Sequence, residues 1–463
     1  MDTAITPYDV VVVGGGNAAL CAALAARATG ARVIVIERAP RVFRGGNSRH
    51  TRNMRVRHGA PTAYLTGRYN EDEFLDDLRR VTGDTNDALA RMVIDRSAAC
   101  PEWMQGHGVR FQRALRGTLH LDRTNTFFLG GGKALMNTYY AAADRLGIPV
   151  MYEAEVTGID LDGTRASAVH MESPSGRISL LAKAVVLAAG GFESNLEWLR
   201  EAWGSAADNF IVRGTPYNTG RVLRCMLDAG AEPVGDPRGC HAVAIDARAP
   251  KFDGGIVTRL DCVPLGIVVN RDGLRFHDEG EDLWPKRYAT WGALVAQQRD
   301  QIAYSIIDAK VVGRFMPSVF PPIVASTWDE VATAVDLPGA ELKKTVAAFN
   351  RAVRPGQFDH TRLDTCGTVD LQPPKSHWAQ PIDTPPYWVY PLRPGITFTY
   401  LGLTVDDRAR VTFRGGVPAA NIFAAGEIMA GNILRKGYIA GFGMTIGTVM
   451  GRLAGEEAAR AAR

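Results

Sequence analysis

Gly14, Gly16 and Ala19 stand at the GxGxxG/A spacing directly behind the apolar run Val10-Val11-Val12-Val13 and ahead of an Ala/Leu-rich segment. Glycines so placed let the main chain close on a pyrophosphate at a helix N-terminus, where free N–H groups and the helix dipole favour anions. Asn17 and Ala18 fall in the same turn. Glu37 closes the next apolar run, roughly 20 residues further on, where a carboxylate accepts hydrogen bonds from a ribose diol. Arg38 follows it. This pattern implies dinucleotide binding. The plainer reading, glycines serving only a tight turn in a nucleotide-free sheet, does not account for the acidic partner.

To present these groups the chain must run strand, turn, helix, strand. Two later stretches repeat the strand-then-glycine theme: Ala184 to Leu187 leading into Ala188-Ala189-Gly190-Gly191-Phe192, and Asn421 to Ala424 leading into Ala425-Gly426-Glu427. Both read as buried parallel strands ending in turns, with glycine permitting close approach to a ligand at the carboxyl edge of the sheet. One sheet therefore draws on both chain ends. From Asp236 to Phe398 the pattern changes to mixed short strands, a Pro-rich stretch and a helical Glu341 to Val353. The expected fold is α/β: a Rossmann-like nucleotide-binding domain from residues 1–235 and 399–463, with an inserted α+β domain over 236–398. The tail, Gly451 to Arg463, reads as a helix packed on the nucleotide domain.

The composition of the 463 residues, 46% hydrophobic and 22% charged, is that of an ordinary soluble chain and excludes disorder, collagen and coiled coil. A net charge of +4 is too small over this length for a nucleic-acid-binding protein, and no nucleic-acid partner is expected. The exception is local: Arg38 to His58 also holds Arg41, Arg44, Arg49, His50, Arg52, Arg55 and Arg57, either a solvated face or an attractor of phosphates or an anionic substrate. The six cysteines are scattered without a CxxC pair, so no metal or iron–sulfur site is expected. Such thiols suit a reducing cytoplasm. Met1 to Pro7 lacks a leader pattern, and the apolar window Val10 to Ala26 is broken by Gly14 to Asn17, so neither a signal peptide nor a membrane span is expected.

Taken in order, Gly14 to Ala19, Glu37, Gly45-Gly46-Asn47-Ser48, Ala188 to Phe192, Val268 to Phe276, Ala424 to Glu427 and Gly451 to Gly455 resemble the flavoprotein family of fumarate reductases, succinate dehydrogenases and 3-ketosteroid dehydrogenases. The resemblance implies FAD as cofactor and an intervening cap domain, with the substrate between cap and isoalloxazine. Glu37 would hold the adenosine ribose, Gly46, Asn47 and Ser48 would run beside pyrophosphate and flavin, Gly190 and Gly191 would close on the cofactor, and Glu427 would bond the ribityl hydroxyls. His50-Thr51 echoes the dipeptide that carries covalent flavin in membrane-bound succinate dehydrogenases, but registered on the glycine motif that histidine falls at Asn47, so FAD is expected to be non-covalent.

Within the family, Trp284 to Gly292 and Arg435-Lys436-Gly437-Tyr438 resemble the branch that oxidises tricarballylate to cis-aconitate. Such a reaction sends a hydride to flavin N5 and a proton to a base on the neighbouring carbon. The family places a cap-domain arginine in the second role. Arg287 matches it, with Lys286 competing because the alignment needs a short insertion; either would act only if dehydrated and aided by a carboxylate such as Glu279, Glu281 or Asp282. His241 falls where fumarate reductases place a cap histidine. Phe398 departs from the family's carboxylate-binding histidine; Tyr438 aligns with the arginine that clamps a fumarate carboxylate or equally with a tyrosine of 3-ketosteroid dehydrogenases, and Arg435 is expected to compensate by clamping a carboxylate of a longer acid. Arg259, Lys286, Arg287 and Arg435 together favour a small anionic substrate over a steroid.

With no cysteine cluster or haem site, the flavin needs a separate electron acceptor, a membrane-bound iron–sulfur protein or a quinone. The alternatives are fumarate-reductase-like reduction of an unsaturated acid, 3-ketosteroid dehydrogenation, a cobalamin-pathway flavoprotein, and a non-catalytic flavin redox sensor.

Overall fold

The computed structural model describes residues 7–114 and 121–463; the first six residues of the segment read above as leaderless lie outside them. Alternating with short turns, β1 (Tyr8–Val13), α1 (Asn17–Ala28) and β2 (Val33–Ile36) form the parallel unit the glycine spacing requires. β1 is two-thirds valine, apolar throughout Val10 to Val13 and buried there on both faces, as a central parallel strand must be. On its other side β1 pairs in parallel with β3 (Gly176–Leu187), which pairs in parallel with β4 (Val417–Ala424). Strand order thus reverses at β1, and a crevice opens at the carboxyl ends of strands flanking such a reversal.

Register decides what lies in that crevice. Val13 is level with both Ile36 and Leu187, and Leu187 with Ala424. Four strands therefore end in one line, and the residues that follow, Gly14, Glu37, Ala188 and Ala425, leave the sheet along one edge. Gly14 has φ +111°, and a Cβ there would sit 2.2 Å from the Ala188 carbonyl oxygen. Only glycine allows the two turns to cross so closely.

The final helix, α2 (Phe442–Ala461), begins nine residues before the alanine-rich tail read from sequence and lies against α1. Its Gly451 and Gly455 make that approach possible: a Cβ on them would meet the Ala18 and Ala22 carbonyl oxygens at 2.5 and 2.2 Å. Asn17, at the α1 N-terminus, donates from its buried amide to Thr448 Oγ1 at 3.0 Å, fixing the entry of α1 against α2.

A second, largely antiparallel sheet has the order Cys240–Asp246, Tyr387–Thr399, Ala303–Ile307, Ile267–Asn270. A short strand, Ile211–Val212, joins it in parallel beside Gly395 and Ile396. That pairing draws Arg213, still in the first sequence segment, to the end of the second sheet. His241 and Phe398 lie opposite each other there, next to a register shift between His241 and Ala242 that reorients the strand end. Among the described residues no helix is long and apolar enough to cross a membrane.

Gly455→Val forces α1 and α2 apart. It is expected to cost about 1–3 kcal/mol or more of stability as overpacking, seen as a lowered thermal midpoint with loss of bound cofactor, whereas Gly163→Ala, in a turn where a Cβ meets nothing, leaves cofactor content unchanged.

Candidate active site

One cleft runs from the carboxyl edge of the first sheet to the end of the second, with about 1580 Å³ of free space including its mouth. Gly14, Gly16, Asn17, Ala18, Glu37, Arg38, Gly46, Asn47, Ser48, Gly190, Glu427, His241 and Tyr438 all line it. Ala19 and Gly191 stand behind the lining, Ala19 fully buried in α1 and Gly191 making room for neighbours.

At the first-sheet end Glu37 is buried and accepts from the main-chain N–H of Ala39 at 2.9 Å and of Gly45 at 3.2 Å, and from the Tyr140 hydroxyl at 3.3 Å. Burial raises its pKa above the ordinary carboxylate range while these donors work against that. A carboxylate oxygen takes two bonds, so acceptor capacity remains for a diol. Gly15 is the counterpart: a Cβ there would lie 2.1 Å from Glu37 Oε2 and 2.3 Å from Tyr140 Oη. Arg38 turns its guanidinium to the Tyr217 carbonyl at 2.9 Å and pairs with Glu155 at 3.2 Å, closing this end. A glycine-walled turn at a helix N-terminus, an acceptor with free capacity and a cleft that continues from them to the second sheet fit FAD.

Asn47 is the hinge between the two sheets. Its Nδ2 donates to Glu193 Oε1 at 2.5 Å and to the Thr397 carbonyl at 2.6 Å, and its Oδ1 accepts from Thr215 N–H at 2.8 Å. His50, three residues on, bonds Asp253 at 2.7 Å and is directed to the second-sheet side. Ser48 Oγ accepts from Asn17 N–H at 3.0 Å, so the Gly45 to Ser48 turn is bound to the start of α1.

At the far end the lining becomes cationic and aromatic: Arg52, Arg213, Arg259, His241, Tyr288, Phe398 and Tyr438. His241 stacks on Tyr438 with ring centroids 4.0 Å apart and planes at 7°, and meets Tyr288 edge-on. Burial lowers its pKa well below the ordinary histidine value, with Arg213 and Arg259 adding to the effect, so it is neutral; its buried Nε2 has no partner. Arg213 donates from Nε to Thr397 Oγ1 at 2.8 Å, but its Nη1 is buried and unpartnered. Arg52 likewise leaves Nε and Nη2 unpartnered. Burial lowers both guanidinium pKa values to about 10, still charged at neutral pH. Arg259 differs: it pairs with buried Asp261, which also accepts from Trp284 Nε1 at 2.7 Å, and it lies over the Tyr288 ring.

Two residues expected at the substrate lie elsewhere. Arg287 does not line the cleft, and its guanidinium is held by Glu281 at 2.7 Å; the competing Lys286 is held by Asp77 at 2.8 Å. Both sit on the short turn Trp284–Arg287, whose apolar members Trp284 and Pro285 are buried and whose basic members consequently face the acids of neighbouring segments. Arg435 is half-buried and also outside the cleft, its main-chain N–H bonded to Thr82 Oγ1 at 2.6 Å. Arg213 was not singled out from sequence. It belongs to no motif, and its only signal is a lone arginine directly after the apolar pair Ile211-Val212.

Fold and cleft together define an FAD-dependent oxidoreductase. Residues 9–434 match the FAD binding domain family, and the chain belongs to it. It is similar to the probable fumarate reductase Ifc3 of Shewanella frigidimarina (strain NCIMB 400), 27% identical over 98% of this chain and 75% of that one. The NADH:fumarate oxidoreductase of Klebsiella pneumoniae (strain 342) is 24% identical over the whole chain, which spans about half (48%) of that relative's length. Among solved structures, the open conformation of a flavocytochrome c3 fumarate reductase is similar with TM-score 0.75 at 22% identity, over 98% of this chain and 78% of that one. The 3-ketosteroid-delta4-(5alpha)-dehydrogenase of Rhodococcus jostii RHA1 is similar with TM-score 0.74 at 21% identity, over 99% of both chains.

Asn47 carries no nucleophile able to bond the flavin, and His50 is engaged by Asp253. Acid precipitation of the yellow protein is therefore expected to leave a white pellet and release all FAD to the supernatant; colour retained in the pellet contradicts this.

Proposed function

We propose that this chain exchanges hydrogen across a C–C bond of a small polycarboxylate, with tricarballylate oxidised to cis-aconitate as its reaction. The observation that supports this reading is the set of buried, unpartnered nitrogens at the second-sheet end of the cleft: Arg213 Nη1, Arg52 Nε and Nη2, and His241 Nε2. A buried donor left unmade costs about 1–3 kcal/mol, and more when charged. Carboxylates satisfy all of them, through charge-assisted bonds to the guanidiniums and an N–H from neutral His241. In this assignment residues 1–235 and 399–463 hold the cofactor, and 236–398 cover the substrate, with Arg213 reaching across from the first segment.

Bound FAD supplies the hydride-exchanging flavin ring. The protein's own residues orient the acid and handle the proton. We assign the proton to Arg259 in place of Arg287: Asp261 holds the guanidinium charged, so it takes the substrate's proton only while passing one of its own to the Asp261 carboxylate. Arg259 is the arginine that meets both conditions for such a role, being buried on the cleft and backed by a buried carboxylate, Asp261. Tyr438 stacks His241 into place, and its hydroxyl accepts from Gly443 N–H at 2.8 Å, which leaves its own O–H to donate into the cleft. Electrons leave to a separate carrier, an iron–sulfur protein or a quinone.

A second reading, 3-ketosteroid dehydrogenation, is favoured by the aromatic walls Phe398, Tyr288 and Tyr438. It leaves two buried guanidiniums without counter-charge, whereas a polyanion does not.

Two substitutions separate stability from function. Arg213→Met removes an uncompensated buried charge; it is expected to raise the thermal midpoint of the substrate-free holoenzyme by an amount worth about 1–4 kcal/mol while raising KM for tricarballylate at least about tenfold, the arithmetic of one lost charged bond. An unchanged KM, or a lowered midpoint, contradicts the assignment. Arg259→Lys is expected to lower kcat by about 100-fold or more, the usual worth of general acid–base catalysis, while Arg287→Ala keeps kcat near wild type. The reverse pattern returns the proton role to Arg287.

A further inference from the structure

We infer that Glu193 and Glu427 share a proton between their carboxyl groups, and that Glu193 is thereby a positioning residue: it fixes the Asn47 carboxamide and presents Glu427 to the cleft as an acid rather than a bare carboxylate. The inference rests on the reading of that wall as the FAD site. Glu193 follows Phe192 at the end of the β3 turn, is completely buried, and stands behind the cleft lining that Glu427 forms.

The geometry is one of two acceptors facing each other. Glu193 Oε1 takes Asn47 Nδ2 at 2.5 Å and Asn218 Nδ2 at 2.8 Å. Glu427 Oε1 takes the Thr399 main-chain N–H at 2.8 Å and its hydroxyl at 3.2 Å. Glu193 Oε2 is buried and no donor points at it. The two carboxyls sit in one cluster: the Thr399 hydroxyl on Glu427 also accepts from the N–H of Phe192, the residue before Glu193, at 3.2 Å, and Asn47 bonds both Glu193 and the Thr397 carbonyl two residues before Thr399; within it each carboxyl bears on the other. A carboxylate pair offers no hydrogen of its own, so the bond between them needs a proton, and that proton also satisfies the orphan oxygen. Among the described residues no basic side chain bonds either carboxyl. The titratable groups that face the pair from neighbouring elements are Tyr400 and Tyr438, and burial keeps both neutral.

Charge bookkeeping points the same way. Burial pushes Glu193 up to about 7 and Glu427 well above the carboxylate range, the latter driven further by Glu193 itself. Two carboxyls in one dry site do not both ionise; the pair titrates as a unit. The glycines of the β3 turn serve the pair as well as the cofactor. A Cβ on Gly191 would lie 2.2 Å from Glu427 Oε1, and one on Gly190 would lie 2.7 Å from Asn218 Nδ2.

The consequence is a pH-dependent grip. Below neutral pH both carboxyls are protonated and the wall is uncharged. As pH rises through about 7 one proton leaves, placing a negative charge behind a wall that faces the anionic FAD, so affinity falls. Glu193→Gln keeps an acceptor for Asn47 and Asn218 while its amide donates to Glu427, which then ionises and stays so.

Infrared spectroscopy of the holoenzyme at about pH 8 tests this directly. Wild type is expected to show the C=O band of a buried protonated carboxyl, and Glu193→Gln, still yellow and folded by circular dichroism, to lack it. In parallel, the Kd for FAD is expected to rise about threefold or more between about pH 6 and about pH 8.5 in wild type and to stay flat in the variant. A wild type without the band, a band that persists in the variant, or identical pH profiles overturns the inference. Glu37 is also buried with a raised pKa, so the band read is the one lost between wild type and variant; where Glu193→Gln fails to fold, Glu427→Gln is expected to lose it instead. No substrate enters either measurement, so a failure of the polycarboxylate reading leaves this test readable, and the reverse.

Discussion

A buried guanidinium without a counter-charge is the arrangement on which this cleft depends. Arg213 is buried and Arg52 half-buried, and both leave buried nitrogens without a hydrogen-bond partner; Asp261, whose charge reaches both, is bonded to Arg259. A fold optimised for stability would neutralise or replace such groups, because an unpaired charge in a dry site is worth several kcal/mol of destabilisation. The structure keeps them and holds them with neutral partners: Thr397 on one side of Arg213, Met316 beside Arg52. In the function we propose, an anion arriving from solution supplies the missing partner.

Everything else positions that deficit against the cofactor. Valine and isoleucine runs make four parallel strands that end level, so the turns after them share one edge. Asn47 then ties three segments together, reaching Glu193 at the end of the first sheet, Thr397 on the long strand of the second, and Thr215 next to Arg213. The substrate end and the cofactor end are therefore not independent. A shift of the second sheet by one residue would break the Thr397 contact, and with it both the Asn47 amide and the arginine that shares Thr397.

The FAD half was legible in the sequence because its constraints are local. Gly14, Gly16 and Glu37 are separated by one strand and one helix, and Gly190 and Glu427 each end an apolar run, so periodicity and turn chemistry reveal them. The substrate half was legible only in part. His241 and Tyr438 were each singled out, but their stacking was not, because His241 comes from a strand of the second sheet and Tyr438 from the loop ahead of the last helix. Arg213 left no trace, since it is carried by a two-residue strand that joins another sheet. Arg287 shows the opposite failure: its place in the chain is right for the family motif, but a short turn with Trp284 and Pro285 buried sends its guanidinium to Glu281. One-dimensional spacing does not say which way a four-residue turn faces.

Whether the unpaired guanidiniums await a polyanion is answered most directly by anaerobic titration of the yellow holoenzyme, following the flavin's visible absorption. The account predicts that tricarballylate bleaches it and that a 3-ketosteroid does not. Bleaching by the steroid alone, with the acid leaving the spectrum untouched, would contradict it.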